Sequence, residues 1–472
     1  MDNEQDFVSG SGSSETGRTA LISAAHRAAA GRILAEARSS HAAWERTALW
    51  TDTFGPRLSG SEALEQAIDW ALEELKRDGF ANVRGEPAMV PHWVRGDESA
   101  VLVAPRRMPL AMLGLGGSVA TPPEGITAPV LVVSSFAELE ERAAEAAGKI
   151  VLFDAPFTKY GETVVYRSRG AVEAAKRGAV ASLIRSVASG SMRSPHTGNM
   201  GYDEAVPRIP AAALSVEDAM LLHRFADRGQ EIVVTLKMSA ETLPDALSRN
   251  IVAELVGSEA PDEIVVLGGH IDSWDVGQGA MDDAGGFVAA WEAVNVIRRL
   301  GLKPRRTIRV VGWTNEENGL RGARAYRDAH EAELTKHVIA MESDASFFRP
   351  TELSFAGDPA SLPLIQEIAS LLAPAGPFAA NPGGPGADIS PLLARGVPTL
   401  SLHSDAGRYM FYHHSAADTP DKLDPDDVAH GVAVLAIYAY ILADMPGRVK
   451  GPAPNPANER SPMNPGGSQP KL

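Results

Sequence analysis

Residues 264–301 constrain this chain more than any other stretch. Ile264-Val265-Val266-Leu267 is a continuous apolar run, the pattern of a strand buried on both faces of a parallel sheet. It ends in Gly268-Gly269 and then His270. A polar loop rich in Gly and Asp follows, and Asp282-Asp283 open a new pattern. Phe287, Ala290, Trp291, Val294, Ile297 and Leu300 recur at helical spacing, with Gly301 as a stop signal, so a helix is predicted there. This order of strand, acidic loop and helix puts His270 and several carboxylates just past a strand's carboxyl end. Open α/β sheets bind their ligands at that edge. Imidazole and carboxylate are both zinc ligands, so a metal site is one reading. A hydrogen-bonded loop histidine beside a solvated acidic turn is the other.

The same rhythm recurs downstream. A strand over 307–313 leads to Glu316-Glu317, and one over 337–342 leads to Asp344. A strand over 396–402 leads to a loop holding His413-His414, and a last helix is expected near Asp427 to Ala443. Taken alone, Glu316-Glu317 could be a surface acidic turn. As a set, four strand ends carrying His, Asp, Glu-Glu, Asp and His-His are hard to attribute to chance. Five such side chains can hold two metal ions if one carboxylate bridges them. A metal pair activates water near neutral pH and stabilises charge on an attacked carbonyl, provided that a coordination position stays open. One Glu of an adjacent pair can then serve as general base while the other binds metal.

The chain has 472 residues, enough for two domains. Residues 1–20 are polar and Gly/Ser-rich and read as a disordered tail. Residues 24–53 have helical character, Ser59 with Glu62 makes a capping-box pattern, and Leu64, Ala67, Ile68, Ala71, Leu72 and Leu75 give one apolar helix face. Residues 100–239 change texture to short strands and turns, with strands at 148–153 and 232–236 and a helix over Ala171 to Val180. This segment reads as an insertion between two parts of one catalytic domain, 21–99 and 240–446. His92, His196 and His223 stand apart from other ligand types and read as structural or surface histidines. Gly114-Leu115-Gly116-Gly117 is too weak for a phosphate loop. Residues 447–472, rich in Pro, Asn and Gly, read as a second disordered tail.

The formal net charge is −16 with no long basic cluster, which argues against nucleic acid or anionic membrane as partner. No uninterrupted apolar run approaches ~18 residues, so no membrane span is expected. There is no cysteine, so disulfides and thiolate ligands are excluded and any zinc must be held by His, Asp and Glu. The first thirty residues lack a charged region followed by an apolar one, so no signal peptide is visible and the sequence itself points to the cytoplasm.

The run from Gly269 through Asp283 resembles the co-catalytic di-zinc aminopeptidase family, in its plasma glutamate carboxypeptidase branch. Trp313-Thr314-Asn315-Glu316-Glu317, Met341-Glu342-Ser343-Asp344-Ala345 and His413-His414-Ser415-Ala416-Ala417-Asp418-Thr419 are similar to the family's other motifs. So are Gly55-Pro56-Arg57-Leu58-Ser59-Gly60-Ser61 and Pro91-His92-Trp93, and the likeness spans about residues 40 to 445. The resemblance implies an α/β fold, a mixed β-sheet sandwiched between helices, with an inserted protease-associated-type domain over the cleft. It implies two zinc ions per chain: His270 and Asp344 on one, Glu317 and His414 on the other, Asp282 bridging, and Glu316 as general base. His414 is preferred to His413 because the family's ligand directly precedes Ser or Thr. Asp272 would accept a hydrogen bond from His270, and Asp283 would support the site from behind, after a cis peptide following Asp282. Tyr412, His413 and Asp388 are candidate substrate contacts. The resemblance further implies a secreted homodimer acting on short peptides with free termini. Two alternatives stay open: a single-zinc glutaminyl cyclase-like acyl transferase, and a non-catalytic receptor-like ectodomain.

Overall fold

A computed structural model describes residues 21–345 and 348–460. The expected tail at 1–20 and the end of the chain from 461 lie outside the described residues. Two eight-stranded sheets organise the rest. The first takes its strands from Ala81–Val94 and from the chain after residue 240, and its central four are parallel: Arg306–Trp313, Ala260–His270, His337–Ala345 and Thr399–His403, in that spatial order. Antiparallel strands flank them on both sides, so the sheet is mixed, as expected.

Strand alternation sends successive residues to opposite faces. Val265 and Leu267 join one core with Ile308, Val310, Ile339 and Met341. Ile264 and Val266 join another with Val311, Ala323, Tyr326 and Ala340. Helices cover both faces. The helix Gly285–Arg299 is buried on almost every side against Pro425–Asp444, whose residues from Val428 to Ala443 are all buried. An all-apolar helix of this kind is a core element of the domain. The helix Glu62–Arg77 buries the six apolar residues named from the sequence, but its N-cap is Ser61, which accepts from the Leu64 amide. Ser59 is freed for another role.

Close approach explains two glycines beside the acidic loop. A Cβ on Gly286 would lie 1.8 Å from the Ser343 carbonyl oxygen, and one on Gly269 would lie 2.2 Å from an Asp283 oxygen. Any side chain there would push the helix off the sheet edge.

The second sheet draws every strand from Glu98–Ala104 to Val233–Met238, with Ile126–Val133, Ile150–Phe153, Ala181–Arg185 and Ala211–Leu214 parallel at its centre. The helix expected over Ala171 to Val180 runs instead over Tyr160–Ala175. Its first turns hold Gly161, Thr163, Val164 and Val165, residues of low helix propensity that hid its start. Residues 447–460 do not behave as a loose tail: Val449 is buried, and Glu459 pairs with Arg324 and Arg327.

His337, at the start of its strand, is held neutral. Its Nδ1–H donates to the Glu333 carbonyl at 3.1 Å and its Nε2 accepts from the Tyr326 hydroxyl at 2.9 Å. Burial pushes this imidazole down from 6.5 to about 4. The unfolded chain therefore takes up the proton first as pH falls, so His337 supports folding above about 6.5 and that support is lost toward pH 4. Between pH 8 and pH 5 the loss should be about 2 kcal/mol. Urea unfolding at both pH values should show the difference shrinking by that amount in His337→Gln.

Candidate metal centre

Because the four central strands are parallel, their carboxyl ends share one edge. His270 closes the strand Ala260–His270, and Asp344 is the penultimate residue of the strand His337–Ala345. Glu316 and Glu317 follow Trp313 in a turn where Asn315 has φ 65°, a left-handed conformation that Asn tolerates well. His414 follows the helix Ala406–Tyr412. Asp282 lies in the wide turn Ala280–Ala284 and its peptide bond to Asp283 is cis.

These groups converge. His270 Nε2 is 3.1 Å from Asp282 Oδ1 and 3.9 Å from Asp344 Oδ1. His414 Nε2 is 3.3 Å from Asp282 Oδ2 and 3.0 Å from Glu317 Oε2. His270, Asp282 and Asp344 offer ligand atoms all within 4.8 Å of one another, and so do Asp282, His413 and His414. Asp282 Oδ2 and Glu317 Oε1 are buried with no hydrogen-bond partner among the described residues.

The electrostatics are those of a site built for cations. Burial lifts Glu317 to about 7, helped by the charge on Asp282. Burial also raises Asp344, again with Asp282 adding repulsion, and holds Glu316 well above the carboxylate range. Burial works against Asp282 as well, but the hydrogen bond from His270 and the nearby charge of His414 hold it well below that range. His414 rises to about 9, since Glu317 and Asp282 outweigh its burial, whereas burial and the neighbouring His414 push His413 far down. Buried carboxylates crowded among imidazoles, with orphaned oxygens, fit divalent metal ions that would displace the shared protons.

Comparison with known proteins gives the wider setting. The model of peptidase family M28 matches residues 250–439. Carboxypeptidase Q of Rattus norvegicus is 52% identical over 402 residues, covering 85% of this chain and 85% of the relative. The chain belongs to peptidase family M28. The crystal structure of a peptidase M28 precursor from Shewanella amazonensis SB2B superposes with a TM-score of 0.88 at 38% identity, over 91% of this chain and 99% of that one. A zinc aminopeptidase from Bacillus subtilis shares the fold, with a TM-score of 0.62 at 21% identity over 84% and 94% of the two chains. With 52% identity to carboxypeptidase Q across 85% of both chains, the chain is a zinc metallo-exopeptidase, which stands against the cyclase-like and receptor-like readings.

Around this M28 centre the structure corrects several expectations. The Asp272 carboxylate does not take the His270 proton. His270 Nδ1 lies 2.9 Å from the Asp272 backbone carbonyl and 3.8 Å from its side chain. The carboxylate instead accepts from the Glu316 amide at 3.0 Å, the Glu317 amide at 3.3 Å and the Ser59 hydroxyl at 3.2 Å. It therefore sets the Glu-Glu turn. Asp283 accepts from the His270 amide at 3.0 Å and the Gly286 amide at 3.1 Å.

Of the three substrate candidates, only Tyr412 is part-exposed, with its ring beside Phe348. His413 is buried, stacked on His414 with ring centroids 3.5 Å apart, and its Nε2 is 3.6 Å from Asp282 Oδ2. Asp388 is fully buried, so it does not form a contact surface, because its loop folds inward beside Glu342. The Glu342 carboxylate accepts from the Ala387 and Ile389 amides at 2.9 Å each.

Three supporting residues escaped the sequence reading of the M28 site. Buried Arg57 donates to the carbonyls of Gly55, Ile271, Gln278 and Gly279, gathering the acidic loop around one guanidinium. Asp418 accepts from the amides of Ala280, Met281 and Asp282 and so fixes the turn that carries Asp282. The Tyr409 hydroxyl donates to Asp344 Oδ1 at 3.3 Å. Arg57 and Asp418 stand inside motifs that resemble the family's, and that was the available signal.

Proposed function

We propose that the chain hydrolyses dipeptides or other short peptides with two zinc ions per chain. His270 and Asp344 would hold one ion, Glu317 and His414 the other, and Asp282 would bridge. One observation carries this reading: the two oxygens of Asp282 face different histidines, Oδ1 toward His270 at 3.1 Å and Oδ2 toward His414 at 3.3 Å. A carboxylate so divided suits two ions better than one. When bound, the zinc pair would activate water and polarise the scissile carbonyl.

The chain's own residues supply the rest. Glu316, half-buried and raised by burial, takes the proton from the attacking water and hands it to the leaving amine. Asp272 holds the Glu316 amide, so the base cannot drift. In this reading residues 21–99 and 240–446 are the catalytic domain and 100–239 the inserted protease-associated-type domain, supported by the separate sheet each builds. Likeness to carboxypeptidase Q supports trimming at the carboxyl end. A homodimer belongs to the same reading, on the strength of the family resemblance. The net charge of −16 supports peptide rather than nucleic acid or anionic membrane as partner.

The test is a dipeptide library, read by mass spectrometry, with metal-stripped and zinc-restored protein. Turnover should vanish on stripping, return at two zinc per chain, and favour dipeptides with free termini. Full activity at one zinc per chain, or cleavage of long peptides alone, would overturn the proposal. Sedimentation of the same samples should give twice the 49.9 kDa of one chain.

A further inference from the structure

The second sheet's segment reaches into the metal centre from behind. Its strand-to-strand loop at His196-Thr197 runs along the His413-His414 turn. The Thr197 amide donates to the His414 carbonyl at 2.9 Å, and His196 Nδ1 donates to the His413 carbonyl at 2.5 Å. His196, read from the sequence as a structural histidine, is one, but at the site itself. The same segment also meets His414's ring. His414 Nδ1 is 3.3 Å from the Thr197 carbonyl oxygen, on the opposite side of the imidazole from the Nε2 that faces Asp282 and Glu317.

Arg167, on the helix Tyr160–Ala175 of that segment, completes the arrangement. It is 3% exposed, and no carboxylate pairs with it among the described residues. Its Nη1 donates to the Thr197 carbonyl at 3.4 Å and lies 3.3 Å from His414 Nδ1, and its Nη2 donates to the Tyr160 hydroxyl at 2.7 Å. The Tyr160 ring in turn stands edge-on to His413, with centroids 5.4 Å apart. Gly198 makes room for the guanidinium, since a Cβ there would lie 2.3 Å from Arg167 Nη1.

A carbonyl fixed at Nδ1 selects the imidazole tautomer whose Nε2 lone pair is free for a metal ion. Arg167 donates to that same carbonyl and so holds it in place behind the ring. We propose that Arg167 and the Thr197 carbonyl are positioning groups for His414, so that the inserted segment completes one of two metal sites and leaves the other to the catalytic sheet. His270 has its own carbonyl support within that sheet, from Asp272. Loss of such support behind a metal-bound histidine typically weakens metal affinity about 10–100-fold.

This inference rests on His414 being a zinc ligand, and the experiment separates the two. Metal-stripped full-length protein is titrated with zinc against a competing chelator, resolving two dissociation constants. Arg167→Met and Gly198→Ala should each weaken one site by about 10-fold or more and leave the other as in the parent protein. Arg167→Lys, which keeps the charge without the fork, should fall between. Arg169→Ala, an exposed change on the same helix, should alter neither constant. Circular dichroism of the stripped variants checks that each is folded. Unchanged constants in folded Arg167→Met and Gly198→Ala, or equal weakening of both sites, would overturn the inference. Two undisturbed zinc sites in His414→Ala would instead overturn the ligand assignment beneath it.

Discussion

Glu316→Gln is expected to lower kcat by about 10²–10⁴-fold while two zinc ions still bind. The amide keeps the shape of the side chain and leaves Glu317, the neighbour assigned to metal, untouched. The Glu316 backbone amide still donates to Asp272, so the turn keeps its place. What disappears is a carboxylate that can accept a proton and return it. Metal content by atomic absorption and turnover on a cleaved dipeptide, measured on one preparation, decide the matter. Near-normal turnover would remove Glu316 from its assigned role. Low turnover with lost zinc would mean that the side chain is structural.

Arg57→Met should have the largest effect on stability, on the order of 4 kcal/mol. Arg57 is fully buried and spends its donors on backbone carbonyls of Gly55, Ile271, Gln278 and Gly279. Methionine fills the space but donates nothing, so four carbonyls lose a partner, those of Ile271 and Gly279 in fully buried bonds. Burial already pulls this guanidinium down to about 10, against the pull of Asp418 and Asp272, which still leaves it charged at neutral pH. The loop from Ile271 to Gly279 would loosen, and with it the turn that carries Asp282. Urea unfolding should show the loss, and zinc titration should show weaker binding at both sites because the bridging carboxylate is displaced. A variant as stable as the parent would show that the loop holds itself.

Much of this architecture was legible in the residues. Ile264 to Leu267 reads as a strand buried on both faces, and Phe287 to Leu300 as a helix, because both patterns are local. The convergence of His270, Asp282, Glu317, Asp344 and His414 was legible for a different reason: each lies at or beyond the carboxyl end of an expected strand, and parallel strands share an edge. Side-chain direction was not legible. Asp272 was expected to meet His270, yet two residues along an extended exit its carbonyl, not its carboxylate, comes within reach of the ring. Asp388 was expected to contact substrate, yet its loop folds inward and buries it. Arg167 and Thr197 were out of reach of sequence reasoning altogether. They stand over two hundred residues from His414, and nothing periodic marks a contact of that kind.

The helix Pro425–Asp444 imposes an order on how the molecule comes into being. It follows every strand of the first sheet in the chain, yet it fills the space against the Gly285–Arg299 helix and the inner face of that sheet. Until it arrives, strands made a hundred or more residues earlier have an uncovered apolar side. The second sheet has no such debt, since every strand it needs is synthesised by residue 238. The insertion can therefore close while translation continues, and the first sheet assembles beside a finished neighbour only once the Pro425–Asp444 helix has been made.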